Sequence, residues 1–248
     1  MNGLMTHTKK FNPVGVDQLH ACPVPPSTNT YEPVNHGWLY DEVRRNVGQR
    51  GYHIMAEDLR TTESGDEFFG ILKLRSPLTT PGVQNSPWDL SLGIRNTNNK
   101  RASAGIFLGT NVWVCDNLCF SAEHTLLRKH HTGTYDVLRQ GIEGITHELP
   151  RYREAQRSWI SNMQQWILTP KLRNHLLVQC LQGGAIKGGD ILPILGEIAE
   201  PNTDNPEAVG ASAWGLFNAI TWVGKKGFNR NPEMAANRSL ALQTIFVP

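Results

Sequence analysis

Residues 94–133 read IRNTNNKRASAGIFLGTNVWVCDNLCFSAEHTLLRKHHTG, and this stretch decides the fold class. A polar, basic segment (95–101) gives way to a short apolar run at 105–108. Gly109-Thr110-Asn111 then offers a turn, and 112–120 is a second apolar run. Two such runs across a Gly/Asn turn predict a β-hairpin. The stretch ends on a basic, histidine-containing segment, 128–132, and holds two of the four cysteines and three of the nine histidines.

Working outward, Trp88, Leu90, Leu92 and Ile94 alternate with small or polar residues and predict a strand. Before it, RSPLTTPGVQNSP (75–87) is a loop long for a compact domain. The runs 52–62 and 68–74 (FFGILKL) flank Glu63-Ser64-Gly65-Asp66, which predicts another hairpin with a four-residue turn. Earlier still, Asn35 can cap a helix in which Trp38, Leu39, Val43 and Val47 recur at helical spacing, with Gly48 and Gly51 as stops. Residues 1–30, with Pro13, Pro23, Pro25 and Pro26, read as an extended arm.

Past residue 135 the period changes from two to three or four. Leu138, Ile142, Ile145, Leu149, Tyr152, Trp159, Met163 and Trp166 predict one long amphipathic helix, bent at Pro150. Further helices are expected at 174–182, 212–224 and 232–244, with a glycine-bracketed loop at 183–189 and an acidic connection at 196–209. The expected architecture is α+β: an antiparallel sheet of four to five strands, in two hairpins, covered by the long helix, with a helical C-terminal half. The expected organisation is an arm over 1–30 and a single domain over 31–248, sheet-rich at 52–120 and helical at 135–248.

Composition bounds the function classes. With 39% hydrophobic and 19% charged residues the chain reads as a soluble globular protein. No apolar run approaches the roughly 20 residues of a membrane span. The N-terminal residues lack the apolar core of a secretory signal, so an intracellular, cytoplasmic location is expected. Net charge is +2, which by itself forces no partner; local clustering matters more.

Cys115, Cys119, His124 and His130 offer thiolate and imidazole groups within a short span, the donor set zinc prefers. On one strand, however, residues i and i+4 lie about 13 Å apart, so shared ligation requires a turn at Asp116-Asn117. The alternative is a pair of buried thiols. A thiol nucleophile, Cys115 or Cys119 with His124 or His131, lacks a glycine elbow or other signature. No phosphate loop, dinucleotide fingerprint or metalloprotease helix is present. Glu57 and Asp58, being adjacent on a strand, point to opposite faces. No cofactor and no catalytic residue is expected.

Several segments together resemble the phage/plasmid-like protein family known as domain of unknown function 932: TYEPVNHGWLYDEV (30–43), FFGILKL, 92–120, RKHHTG (128–133) and WGLFNAIT (214–221). The resemblance spans roughly residues 30–230. Its motif falls on Cys115, Asn117, His131, Thr132, Asn218, Ala219 and Thr221, with Asp116 and Leu118 standing where many relatives carry a small residue and glycine. Members of that family occur in phages, plasmids and integrative elements, often beside recombination genes. The resemblance therefore implies a context rather than a chemistry.

Within that context the basic clusters carry the expectation. Arg95, Asn96, Lys100 and Arg101 lie in one polar turn, Arg128, Lys129 and His131 in another, and Arg151 and Arg153 follow on the helix. Cations that track phosphates, with aromatic rings for bases, are what single-strand binding requires. The expected partner is nucleic acid, single-stranded DNA in recombination or replication, bound by a homo-oligomer. The alternatives are an anti-defence protein that blocks a host complex, and a metal or thiol enzyme using 115–131.

Overall fold

The hairpin at 53–75 is the base on which the rest is built. In a computed structural model, which describes residues 11–76, 88–112, 117–202, 210–228 and 232–247, β2 (His53–Thr62) pairs antiparallel with β3 (Glu67–Arg75). The turn between them needs Gly65, whose φ is +68°. β3 pairs antiparallel with β4 (Trp88–Thr97), so Phe68 stands opposite Asn96 and Leu72 opposite Leu92. β5 (Ala104–Val112), β6 (Asn117–Arg128) and the edge strand β1 (Phe11–Pro13) complete a six-stranded sheet in the order β1-β2-β3-β4-β5-β6. The fold is α+β, with eight helices among the described residues.

Opposed residues share a face. Leu59, Phe68, Leu72, Leu74, Leu90, Leu92 and Ile94 therefore form one apolar surface, and all are buried. The helix α2 (His36–Gln49) packs on it with Leu39, Tyr40, Val43 and Val47. Full burial of each such aliphatic chain stabilises the fold by roughly 1.5–3 kcal/mol. The Tyr40 hydroxyl donates to Glu57 across this interface at 2.6 Å. As expected, Asn35 caps α2, its side chain accepting from the Trp38 amide at 3.0 Å. The helix ends where Gly51 takes φ +77°.

Residues 11–30 depart from the expected arm. β1 (Phe11–Pro13) pairs with the end of β2, placing Phe11 opposite Thr62. α1 (Val16–Ala21) then buries Leu19 completely. Pro13 is tolerated because β1 is an edge strand. α1 lies against α2 at Gly37, where a Cβ would run into the His20 ring. β1 raises the strand count to six.

Two further expectations change. β5 continues through Gly109, Thr110 and Asn111, so the residues expected to turn are strand, and β6 extends to Arg128. The expected long helix is two: α3 (Thr134–His147) and α4 (Leu149–Gln165), interrupted at Glu148. Pro150 sits in the first turn of α4, where a missing N–H costs nothing, and so starts a helix rather than bending one. Gly141 of α3 packs tightly on Leu126 of β6.

The chain divides into two compact units: residues 1–109 with 124–150, and residues 110–123 with 151–248. The second contains most of α4, then α5 (Pro170–Gln182), α6 (Ile191–Ala199), α7 (Ala213–Phe228) and α8 (Pro232–Ile245). Thr169 caps α5 and Pro170 opens it. The core of this unit gathers on Phe217, whose ring meets Trp159 at 5.2 Å, Trp214 at 5.7 Å and Phe246 at 5.7 Å. Asn218 and Thr221 are buried on α7, bonded back to Trp214 and Phe217 carbonyls. No described helix is long and apolar enough to cross a membrane.

Candidate nucleic-acid interface

Residues 28–35 form a strap across the first unit, fixed by bonds to residues far along the chain. Its tip is a tight turn in which Thr28 and Tyr31 exchange backbone bonds of 2.8 and 3.4 Å. The Tyr31 hydroxyl donates to the Asn98 carbonyl at 2.9 Å. The Asn98 side chain accepts from the Val34 amide at 3.3 Å and donates to the Val34 carbonyl at 3.1 Å, clasping the strap from both sides. Glu32 accepts from the Gly133 and Thr134 amides at 2.7 and 3.0 Å. Those N–H groups stand at the start of α3, where the helix itself supplies no partner, and a carboxylate there also meets the positive end of the helix dipole.

Beneath the strap, hydrogen-bond directions can be assigned without ambiguity. The Val34 carbonyl only accepts, so the Asn96 group 2.7 Å from it is the amide nitrogen. That nitrogen also meets His36 Nδ1 at 2.8 Å, so Nδ1 accepts and the imidazole proton is on Nε2, which donates to the Gly65 carbonyl at 3.0 Å. His36 is therefore neutral. Burial pushes its pKa down to about 4, the bond to Gly65 opposing this in part.

The turn joining β4 to β5 places Lys100 and Arg101. Thr97 Oγ1 closes it, donating to the Ala102 carbonyl at 2.6 Å and accepting from the Ala102 amide at 3.0 Å. Within it Lys100 takes φ +65°, a conformation that costs a side-chain-bearing residue about 1–2 kcal/mol. Its ammonium lies 4.6 Å from the Tyr31 ring centroid. The same ring stacks on His130 at 5.6 Å and 14° between planes. His130 is buried, and neither of its ring nitrogens has a hydrogen-bond partner among the described residues. Burial lowers its pKa.

The residues after His130 run beside the strap. His131 Nδ1 lies 3.2 Å from the Thr30 carbonyl, and Thr132 donates to the Asn29 carbonyl at 3.0 Å. Lys129 and His131 are exposed. Lys100 and His131, from segments about thirty residues apart in the chain, thus reach one strap, and the exposed Lys129 stands two residues before His131. Arg128, also exposed, turns back to bond the Leu127 carbonyl.

Asn96, Arg95 and Arg101, also expected at the site, do not join this group. Asn96 is fully buried, its amide spent on Val34 and His36, and does not reach solvent. Arg95, its neighbour on β4, points to the opposite face, over Phe107 at 5.7 Å and bonded to the Ser103 carbonyl. Arg101 lies 3.6 Å from Glu67 on the rim of an open cleft of about 850 Å³ that also holds Glu63 and Asp66. The Ser64 and Thr62 hydroxyls hold Asp66 down to about 2, so the cleft is anionic and repels phosphate. Arg151 and Arg153 belong to the second unit.

Of the candidate metal ligands, Cys115 lies outside the described residues. Cys119 and His124 are placed on β6 by their backbone, their side chains lying outside what is described. No group of three or more His, Cys, Asp or Glu suited to a metal occurs among the described residues. Tyr31, His36 and Asn98 were not singled out by sequence reasoning. Asn96 and Asn98 at i and i+2 fall on one strand face, and polar pairs so placed need partners across the sheet face. That was the available signal. No family model, no curated protein and no solved structure matches this chain.

Proposed function

We propose that the protein binds nucleic acid, single-stranded DNA foremost, along the strap at residues 28–33. The observation that carries this reading is the meeting of Lys100 and His131 on a hydrogen-bonded, aromatic-bearing segment, with the exposed Lys129 two residues before His131 in the chain. Cations on flexible stems meet phosphates without demanding a sequence. With the family resemblance, the reading extends to a mobile-element protein of recombination or replication that works as an oligomer on its strand.

Anisotropy titrations of a labelled oligonucleotide at several salt concentrations test it. Affinity falls steeply with salt. In a Lys100→Glu, Lys129→Glu variant two phosphates are no longer neutralised, and at about 0.7 per phosphate of a single strand the log–log slope drops by about 1.4. Absence of binding at low salt, or a slope untouched in the variant, sinks the proposal.

A further inference from the structure

Tyr31 is buried, with 8% of the residue exposed, so its ring is reached only when a neighbour moves. Its hydroxyl is bonded to the Asn98 carbonyl, its backbone is locked in the turn with Thr28, and one face lies on the buried His130 imidazole. The ammonium of the exposed Lys100 lies over the ring, 4.6 Å from the centroid. Between them, the ring has one rigid neighbour and one movable neighbour. Lysine is a compact charge on a four-carbon stem and swings aside without disturbing the backbone.

We infer that Tyr31 is the stacking seat for one unpaired nucleobase, with the Lys100 ammonium as its displaceable cover. This rests on the nucleic-acid reading above and specifies it. A base on the vacated face becomes the third layer of a stack, base on Tyr31 on His130, whose lower two layers are already assembled. Little ordering is left for binding to impose. The displaced ammonium stays within reach of the phosphate attached to that base, so the cation exchanges a ring for an anion. The seat also selects. A duplex keeps its bases paired and stacked inside, while a single strand offers a free π-face from any of the four. The ligand class is therefore single-stranded nucleic acid, without a strong sequence preference.

The test compares oligonucleotides of equal length, about 12 nucleotides, at one low salt concentration: oligo-dT, the corresponding abasic strand, and a blunt duplex. Wild-type protein binds oligo-dT roughly ten-fold more tightly than the abasic strand, as expected for one stacked base. Tyr31→Leu closes that gap, and Tyr31→Phe restores it, since stacking needs the ring and not the hydroxyl. Equal affinity of the wild type for dT and abasic strands overturns the inference while leaving phosphate binding intact, and this comparison requires no variant to fold. A gap that survives in a folded Tyr31→Leu protein also overturns it. Failure of every strand to bind removes the reading beneath it as well.

Discussion

The Asn96 amide nitrogen lies 2.8 Å from His36 Nδ1, and that contact sets the protonation state of the imidazole. A proton on Nδ1 would face an NH₂ group across the bond. The network therefore favours neutral histidine, in accord with its depressed pKa of about 4.

A pH dependence of stability follows. The folded-state pKa lies below the unfolded value, so the unfolded chain binds the extra proton. The contribution is complete above pH 6.5 and is lost as pH falls toward 4. From the 2.5-unit interval between 6.5 and about 4, the loss amounts to roughly 3 kcal/mol. His130, also lowered by burial, adds in the same direction. Urea denaturation at pH 7 and pH 4.5 measures it. In a His36→Gln protein, less stable at neutral pH, the dependence on pH over this range is shallower; an unchanged dependence would show that His36 does not carry it.

Gly37 tests the docking of α1. A methyl group there meets the His20 imidazole, so Gly37→Ala is expected to cost about 1–3 kcal/mol through overpacking. The same change in a His20→Ala background is nearly neutral, because the obstructing ring is gone. Thermal melts of the four proteins form a double-mutant cycle, and a cost that persists without His20 refutes the assignment.

Lys100 separates fold from function. Lys100→Gly relieves a left-handed backbone worth about 1–2 kcal/mol and removes a cation–π interaction worth about 0.5–1 kcal/mol. Glycine's extra freedom in the unfolded chain offsets the remainder. Stability by urea titration should stay within about 1 kcal/mol of wild type, while affinity for oligo-dT falls at low salt. A large fall in stability would mean that the turn depends on the lysine.

The thiols differ in reach. Cys180 is fully buried and burial pushes it up to about 12, whereas Cys22 is partly exposed. With Ellman's reagent under native conditions at pH 8, Cys22 is modified before Cys180, which reacts only with unfolding. Mass spectrometry of the labelled peptides decides the order.

The legible parts of this chain were those whose signal is local. The β2–β3 hairpin was readable because Phe68, Ile71, Leu72 and Leu74 lie beyond a turn closed by Gly65, and the start of α2 because Asn35 caps it within three residues. β1 was not, since three residues ending in proline carry no period and are a strand only through pairing with β2. Gly109 looked like a turn, yet the alternation of Ala104, Ile106 and Leu108 carries β5 past it. Asn96 looked exposed because its neighbours are polar, but the register opposite Phe68 turns it toward α2. At the candidate site the basic segments were visible. Their common meeting point at Tyr31 was not, because the bonds that create it join residues 64–103 positions apart.

Those separations set an order of assembly. The strap cannot close on Asn98 or on the 129–134 segment until those residues exist, so during synthesis it waits for about a hundred further residues. At about 5–20 residues per second that delay is about 5–20 s. Throughout it, Tyr31 and its neighbours are solvent-exposed chain, and closing so long a loop draws no return until both anchors are in place. The surface proposed to hold DNA is thus among the last parts of its unit to form, and a nascent chain carries no such surface while it is still being made.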